Sequence, residues 1–299
     1  MTTDRVRATY RIETSHPPEH AATVMAGEQS TGTFVRVPGE TDELRERFAA
    51  RVERITEIET VDEPSLPGSK LPRSSTGVIN YRRAEVVLSW PLENMGASLP
   101  NLVATVAGNL YELGEFSGLR LTDIDLPPTF ADVYQGPQFG VPGTRRLTGV
   151  GGRPVIGTII KPSVGLTPED TATLVGTLIE AGLDFIKDDD LMADPPHSPL
   201  ARRVEAVMRV INERADRTGK KAMYAVNITG EIDEMLRHHD AVLAAGGTCV
   251  MVSLNSVGLP AVAHLRRHSQ LPIHGHRNGW GALSRHPYLG FDFIAYQKL

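Results

Sequence analysis

Residues 154–299 alternate regularly between short apolar runs and amphipathic stretches, and this period constrains the fold more than any other feature. Pro154–Lys161 (PVIGTIIK), Leu183–Lys187, Lys221–Thr229, Thr248–Leu254 and Leu271–His276 read as strands. Helices are expected between them over Thr167–Ala181, Leu200–Arg217, Glu231–Ala245 and Leu259–His268, with another beginning in Gly290–Leu299. The first opens on Thr167-Pro168-Glu169-Asp170, with proline at the first helical position. Apolar strands separated by helices imply a parallel sheet covered on both faces. A (β/α)8 TIM-type barrel and a doubly wound sheet both satisfy this pattern. No GxGxxG follows the first strand, which counts against a nucleotide-binding sheet. The strand ends favour the barrel. Lys161, then Lys187-Asp188-Asp189-Asp190, Asn227 and Thr229, Ser253 and Asn255, and His274, His276 and Arg277 close the five strands in turn. In a barrel such ends converge on one mouth, where active sites sit.

The first 150 residues show no such alternation. Strands are expected over Arg5–Ile12, Ala84–Trp90 and Gly118–Leu126. A helix is expected over Thr41–Ile58, where Leu44, Phe48, Val52 and Ile55 recur at spacings of three and four, and another over Asn101–Tyr111. Asp62–Thr76 is rich in Pro, Ser and Gly and reads as a loop. The division expected is an N-terminal α+β, ferredoxin-like domain over 1–130, a Gly- and Pro-rich linker over 131–153, and a partial (β/α) barrel of about five βα units over 154–299.

Composition excludes several function classes. With 31 Lys and Arg against 36 Asp and Glu, the net charge is −5, so no basic surplus exists to neutralise nucleic acid phosphates. One cysteine, Cys249, permits neither an internal disulfide nor a zinc-thiolate cluster and fits a reducing cytoplasm. The start, MTTDRVRATY, has no apolar signal core, and no stretch approaches the roughly 18 apolar residues of a membrane span.

The polar strand ends carry the chemistry. Three successive carboxylates repel one another, and a divalent cation such as Mg2+ would relieve this; a solvated acidic loop is the plain alternative. A lysine near a metal or a second lysine can take a lowered pKa and act as a base, so Lys161 is a candidate acid/base, against the ordinary fate of a lysine reaching solvent. His274-Gly275-His276-Arg277 could bind phosphate or metal, or be only a polar strand end.

Together these segments resemble the large subunit of ribulose-bisphosphate carboxylase/oxygenase, RuBisCO, over nearly the whole chain. Gly27-Glu28-Gln29-Ser30-Thr31-Gly32-Thr33 and Gly108-Asn109 resemble its N-terminal active-site segments. Gly157–Leu166 (GTIIKPSVGL), Gly182–Asp190 (GLDFIKDDD) and His274–Arg277 are similar to its first, second and fifth barrel strands. The resemblance implies that Lys187 reacts with CO2 to form a carbamate, which with Asp189 and Asp190 holds Mg2+. It implies that Lys161 is the acid/base, that His276 contacts substrate hydroxyls and assists proton transfer, and that Arg277 clamps a phosphate while His274 supports the strand end. Glu28, Thr33 and Asn109 would complete the barrel mouth of a second subunit, making a homodimer with its active site at the subunit interface the smallest working unit.

The departures redirect the function. Ser163 stands where carboxylases carry a second lysine, Asp190 replaces a glutamate, Phe34 replaces a tryptophan, and Asn278-Gly279-Trp280-Gly281 follows His276-Arg277. The chain therefore looks like a RuBisCO-like protein: a lyase or decarboxylase-type enzyme forming an enolate from a phosphorylated keto sugar acid. The decarboxylase or transcarboxylase/hydrolase of 3-oxo-isoapionate 4-phosphate is the type favoured, because His276-Arg277 is retained. The alternatives are an enolase or isomerase of methionine salvage, a catalytically silent sugar-phosphate binder, and a Schiff-base aldolase. About 150 residues follow the linker, against the roughly 250 of a full barrel. The chain thus reads as a fragment of a longer protein, or as a truncated product, lacking strands six to eight.

Overall fold

Strand β1 (Arg5–Thr14) sends Val6, Ala8, Tyr10 and Ile12 to one face, where all four are buried, and its arginines to the other. That period of two is the organising pattern of the first of two contact units in the computed structural model, which describes residues 4–32, 38–72 and 79–299. The unit comprises Met1–Tyr134 together with Trp280–Leu299. Helix α1 (Pro18–Glu28) follows and buries Ala21, Ala22, Met25 and Ala26. Its small residues give the sequence little apolar periodicity to mark a helix. Helix α2 (Asp42–Phe48) is capped by Thr41, whose hydroxyl accepts from the Leu44 amide at 3.1 Å.

The helix expected over 41–58 stops there. Residues Arg51–Val61 are instead strand β2, paired antiparallel to β3 (Tyr81–Pro91). Val52, Ile55, Thr56, Ile58, Thr60 and Val61 are β-branched and stiff at χ1, which disfavours helix and suits a strand. β2 lies at the sheet edge and is largely exposed, so the apolar spacing that imitated a helix never served a buried face. Helix α3 (Leu99–Ala107) ends at Gly108, and a 3-10 turn over Asn109–Glu112 replaces the rest of the helix expected to Tyr111. Strand β4 (Gly118–Asp125) and the short helix α4 (Pro128–Ala131) follow. The order β4-β1-β3-β2, with helical connections before β2 and before β4, is the split βαβ arrangement. Its buried face is a core of Val86, Leu88, Trp90, Leu102, Leu110, Leu121 and Ile124.

The second unit, Gln135–Gly279, is a half-barrel. It opens with helix α5 (Gly140–Thr148), inside the stretch expected to be a linker of turns. Glycines and a proline disguise that helix; Gly149 ends it in the left-handed conformation at φ 67°, and the Arg145 guanidinium donates to the carbonyls of Val150, Gly151 and Arg153. Then come β5 (Gly157–Ile159), α6 (Pro168–Glu180), β6 (Phe185–Lys187), α7 (Leu200–Thr218), β7 (Met223–Asn227), α8 (Ile232–Ala244), β8 (Cys249–Ser253), α9 (Leu254–Val257), α10 (Leu259–His268) and β9 (Ile273–His276). Thr167 and Asp170 form the reciprocal capping box of α6. The five strands are parallel and ordered as in the sequence. Ile186, Tyr224, Val226, Val250 and Val252 pack in one core with residues of α6, α7, α8 and α10. Phe185, Met223, Ala225, Cys249 and Met251 form a separate cluster, the other face of the same strands.

The last twenty residues do not extend this sheet. Helix α11 (Trp280–Ser284), strand β10 (Leu289–Phe291) and helix α12 (Phe293–Lys298) belong to the first unit. β10 pairs parallel to β4, Ala295 of α12 enters the first core, and Arg120 of β4 donates to the Ser284, His286 and Leu289 carbonyls and to Asp292. The expectation that 154–299 is one barrel domain is corrected accordingly: a fifth strand is added to the first sheet from the far end of the chain.

At the N-terminal edge of the parallel sheet, Asp184 is buried and accepts two hydrogen bonds from Arg153, at 2.6 and 2.8 Å, one from the Ile156 amide at 2.9 Å, and one from Lys220. The Arg153 fork, above all, holds the carboxyl well below its usual range. A folded-state pKa below the unfolded one adds stability that is complete above the unfolded value and is lost as pH falls toward the folded one. Asp184→Asn is expected to lower the melting temperature by several degrees at pH 7, and the gap to the wild type to shrink between pH 4 and pH 2.5, read by thermal unfolding across pH.

Candidate active site

The C-terminal ends of β5, β6, β7 and β9 bring most of the expected polar residues together. Lys161, just past β5 and joined to Pro162 by a cis peptide, places its ammonium 2.6 Å from Asp189 Oδ2 and 2.8 Å from Ser163 Oγ. Asp189, buried beyond β6, also accepts the Leu191 amide on Oδ1 at 3.1 Å. Burial pushes its carboxyl up, but hydrogen bonds from Lys161, the Leu191 amide and Ser163 outweigh this, and the net shift is downward. It is therefore held ionised. Lys187 closes β6 on the same side of the strand as Phe185, and its ammonium donates to the Asp188 carbonyl at 3.1 Å. Burial lowers the Lys187 pKa; the neighbouring carboxylates oppose the shift, and Lys161 adds to it. Asp190 Oδ2 lies 3.4 Å from the Asn278 amide.

Asp188 does not share this space. It is fully buried, and its carboxylate accepts the Tyr224 hydroxyl from the helix-facing side of β7. Two carboxylates of the run face the site, not three. The run of charged letters alone could not show this; strand alternation puts residues 187 and 189 on one side and 188 on the other, and Asp190, already in the turn that follows, reaches Asn278 by the path of that turn.

His274 and His276 lie on β9, their rings 6.4 Å apart, and His274 also meets Phe185 at 5.4 Å. Burial, then Lys187 and His276, depress the His274 pKa to about 4, so the ring is neutral at physiological pH. His276 Nδ1 and Asn278 Oδ1 are buried with no hydrogen-bond partner among the described residues. Arg277 is exposed. Glu28 and Asn109 lie in the first unit, where the Asn109 amide reaches Glu28 Oε1 at 3.3 Å, and both line a cavity of about 330 Å³ with Lys70, Glu112, Leu113 and Gly114. Thr33 and Phe34 lie outside the described residues.

A hard cation fits the strand-end group. Asp189 is ionised and Asp190 adjacent, Lys187 is an amine made easier to deprotonate, and two buried polar atoms nearby are unsatisfied. A second cluster, His239, Asp240 and His268, has metal-ligand composition but different bonding. The Gln270 amide points at His239 Nε2 at 3.3 Å, which puts the His239 proton on Nδ1, facing Asp240 at 2.9 Å. His268 Nε2 shares the same carboxylate oxygen at 2.7 Å. The cluster is a hydrogen-bond chain.

Two family models account for the arrangement. The N-terminal domain of the ribulose bisphosphate carboxylase large chain matches residues 2–130, and the catalytic domain of that chain matches residues 140–299. The chain belongs to the RuBisCO large-chain family. It is 58% identical, over 99% of its length and 70% of the relative's, to a 3-oxo-isoapionate-4-phosphate transcarboxylase/hydrolase of Xanthobacter autotrophicus. It is 47% identical, over 98% of its length and 69% of the relative's, to a 3-oxo-isoapionate-4-phosphate decarboxylase of Rhizobium etli. A RuBisCO-like protein from Burkholderia fungorum superposes with a TM-score of 0.91 at 48% identity, covering 99% of this chain and 70% of that one. The two family matches take in nearly the whole chain, which spans about 70% of the length of these relatives. Among the described residues no helix is long and apolar enough to cross a membrane.

The half-buried His274 is expected to titrate with a midpoint near 4, against about 6.5 for an ordinary histidine. Imidazole proton shifts followed by NMR, assigned with His274→Gln, check the value.

Proposed function

We propose that this chain is a Mg2+-dependent, enolate-forming RuBisCO-like enzyme acting on 3-oxo-isoapionate 4-phosphate or a close phosphorylated 3-oxo sugar acid. Transcarboxylation/hydrolysis is the preferred reaction and decarboxylation the second, in the order of the two relatives' identities. The observation that carries the reading is the Lys161–Asp189 contact, 2.6 Å, beside Lys187 at the ends of adjacent parallel strands. It sets a proton-carrying amine against the carboxylate best suited to a cation.

Lys187 is the carbamate-forming residue in this reading. Its lowered pKa favours the free amine, whose lone pair bonds to the carbon of CO2 as the nitrogen loses a proton; the lysine becomes an anionic oxygen ligand. The carbamate, Asp189 and Asp190 would hold Mg2+. When bound, the cation supplies Lewis-acid stabilisation of negative charge on a substrate oxygen. In a 3-oxo acid, the bond from C2 to the carboxyl carbon breaks with its electron pair delocalised onto the C3 carbonyl oxygen, giving CO2 and an enolate; in decarboxylation the CO2 leaves and C2 takes a proton, and in transfer the CO2 is recaptured by an enolate carbon before water cleaves the product. Lys161, as an ammonium, donates that proton. His276, with an unpaired ring nitrogen, contacts a substrate hydroxyl, His274 supports it as a neutral ring, and Arg277 binds the phosphate bidentately. Glu28, Asn109 and Thr33 serve a neighbouring subunit's site in a homodimer or larger homo-oligomer. The strand-end sheet is part of a (β/α)8 barrel in the working enzyme.

The test is turnover of the phosphorylated 3-oxo acid in Mg2+ and bicarbonate, with the carboxyl carbon labelled. Release of labelled CO2 identifies decarboxylation; its retention in an acid product identifies transfer and hydrolysis. Lys187→Ala and Asp189→Ala are expected to lose both Mg2+ affinity and turnover. Lys161→Met is expected to lower kcat by about 10²-fold or more while Mg2+ still binds. A metal-independent reaction indifferent to these changes refutes the mechanism. Substrate binding without turnover identifies a silent sugar-phosphate binder, and borohydride trapping on a lysine identifies Schiff-base chemistry.

A further inference from the structure

We infer that Arg203, acting through the buried carboxylate of Asp188, is a positioning residue for the turn that carries Asp189 and Asp190. The inference rests on the proposed Mg2+ site and concerns residues that do not touch it. Arg203 sits in the first turn of α7 with its side chain completely buried. Its guanidinium is the hub of the loop between β6 and α7. Nη2 lies 3.3 Å from Asp188 Oδ2 and donates to the Met192 and Ala193 carbonyls at 2.7 and 2.6 Å; Nη1 donates to the Ser198 carbonyl at 2.6 Å. The loop is wrapped around one fixed cation.

Asp188 carries that anchor to the next strand. Its carboxylate accepts the Tyr224 hydroxyl and, at 2.9 Å, the Asn227 amide, both on β7. The Asn227 side chain completes the circuit by donating to the carbonyls of Asp189 and Asp190 at 3.0 and 3.1 Å. The backbone of both candidate ligands is thus tied to β7, and the residue before them is tied to α7 and β7 at once.

Stability alone does not account for this set. A buried ion pair is weak support for a fold, because apolar residues of similar volume often serve as well. Apolar packing cannot, however, fix the directions of this many hydrogen bonds. Nor could it cancel the Asp188 charge: with Arg203 opposite, the first carboxylate of the run is neutralised on the helix side and neither repels Asp189 nor competes for the cation. Outer partners of metal ligands act in this way.

The experiment is Mg2+ binding by titration calorimetry in bicarbonate, at a temperature where circular dichroism shows each variant folded. Arg203→Lys, which keeps the charge and loses the fork, and Tyr224→Phe, which removes one oxygen, are each expected to raise the Mg2+ dissociation constant about 10-fold or more. Asp184→Asn, at the opposite edge of the sheet, lowers the melting temperature and is expected to leave Mg2+ affinity unchanged. Lower melting temperatures with wild-type Mg2+ affinity in both Arg203→Lys and Tyr224→Phe overturn the inference. If Arg203→Lys does not fold, Tyr224→Phe decides it. Wild-type protein that binds no Mg2+, or Asp189→Asn that binds it normally, refutes instead the site reading on which the inference stands.

Discussion

A parallel sheet sends the C-terminal end of every strand to the same edge, and the second unit is organised by that fact. Strands that enter together must leave together, so Lys161 meets Asp189, and Lys187 comes within electrostatic reach of Lys161 and of His274, although up to 113 residues separate them along the chain. The same geometry gives the opposite edge a different character. There Asp184, Arg153 and Lys220 form a closed ionic group with every partner supplied by the protein. The C-terminal edge keeps unsatisfied atoms, on His276 and Asn278, that a ligand can use. The two edges divide stability from chemistry.

The run from Lys187 to Asp190 shows how alternation sorts neighbouring charges. Asp188 is driven into the helix-facing layer, where its burial raises its pKa, and Arg203, Tyr224 and the Asn227 amide offset that cost. Asp189 emerges on the other side and is pulled down by Lys161. Two chemically identical side chains one residue apart thus acquire opposite shifts. The difference lies in which layer of the fold each reaches.

Much of the second unit was legible in the sequence because its signals are local. Strand cores of Val, Ile and Met, the Thr167–Asp170 capping box, and helices bounded by proline and glycine each declare themselves within a few residues. The first unit was less legible. Residues 51–61 carry apolar spacing compatible with a helix, and only pairing with β3 makes them a strand. Helix α1 packs through alanines, which have weak hydrophobic periodicity. Residues 289–291 look like the approach to another barrel helix, yet they find a partner in β4, some 170 residues earlier. No local pattern encodes a pairing at that distance.

The sequence by itself determined the alternating βα order, the polar character of the strand ends and the identities of the candidate site residues. The first two depend on period, on cap chemistry and on spacing, all written along the chain; the site residues were singled out by the resemblance of short motifs to those of the RuBisCO family. The tertiary structure decided which of those residues meet. It set Lys161 against Asp189 and withdrew Asp188 to Arg203. It split Glu28 and Asn109 into a unit other than the one holding the turn of Asp189 and Asp190, and it assigned the last strand to the first sheet. Each of these outcomes is a contact between residues remote in sequence, selected by burial and hydrogen-bond partners that exist only once the sheets have formed.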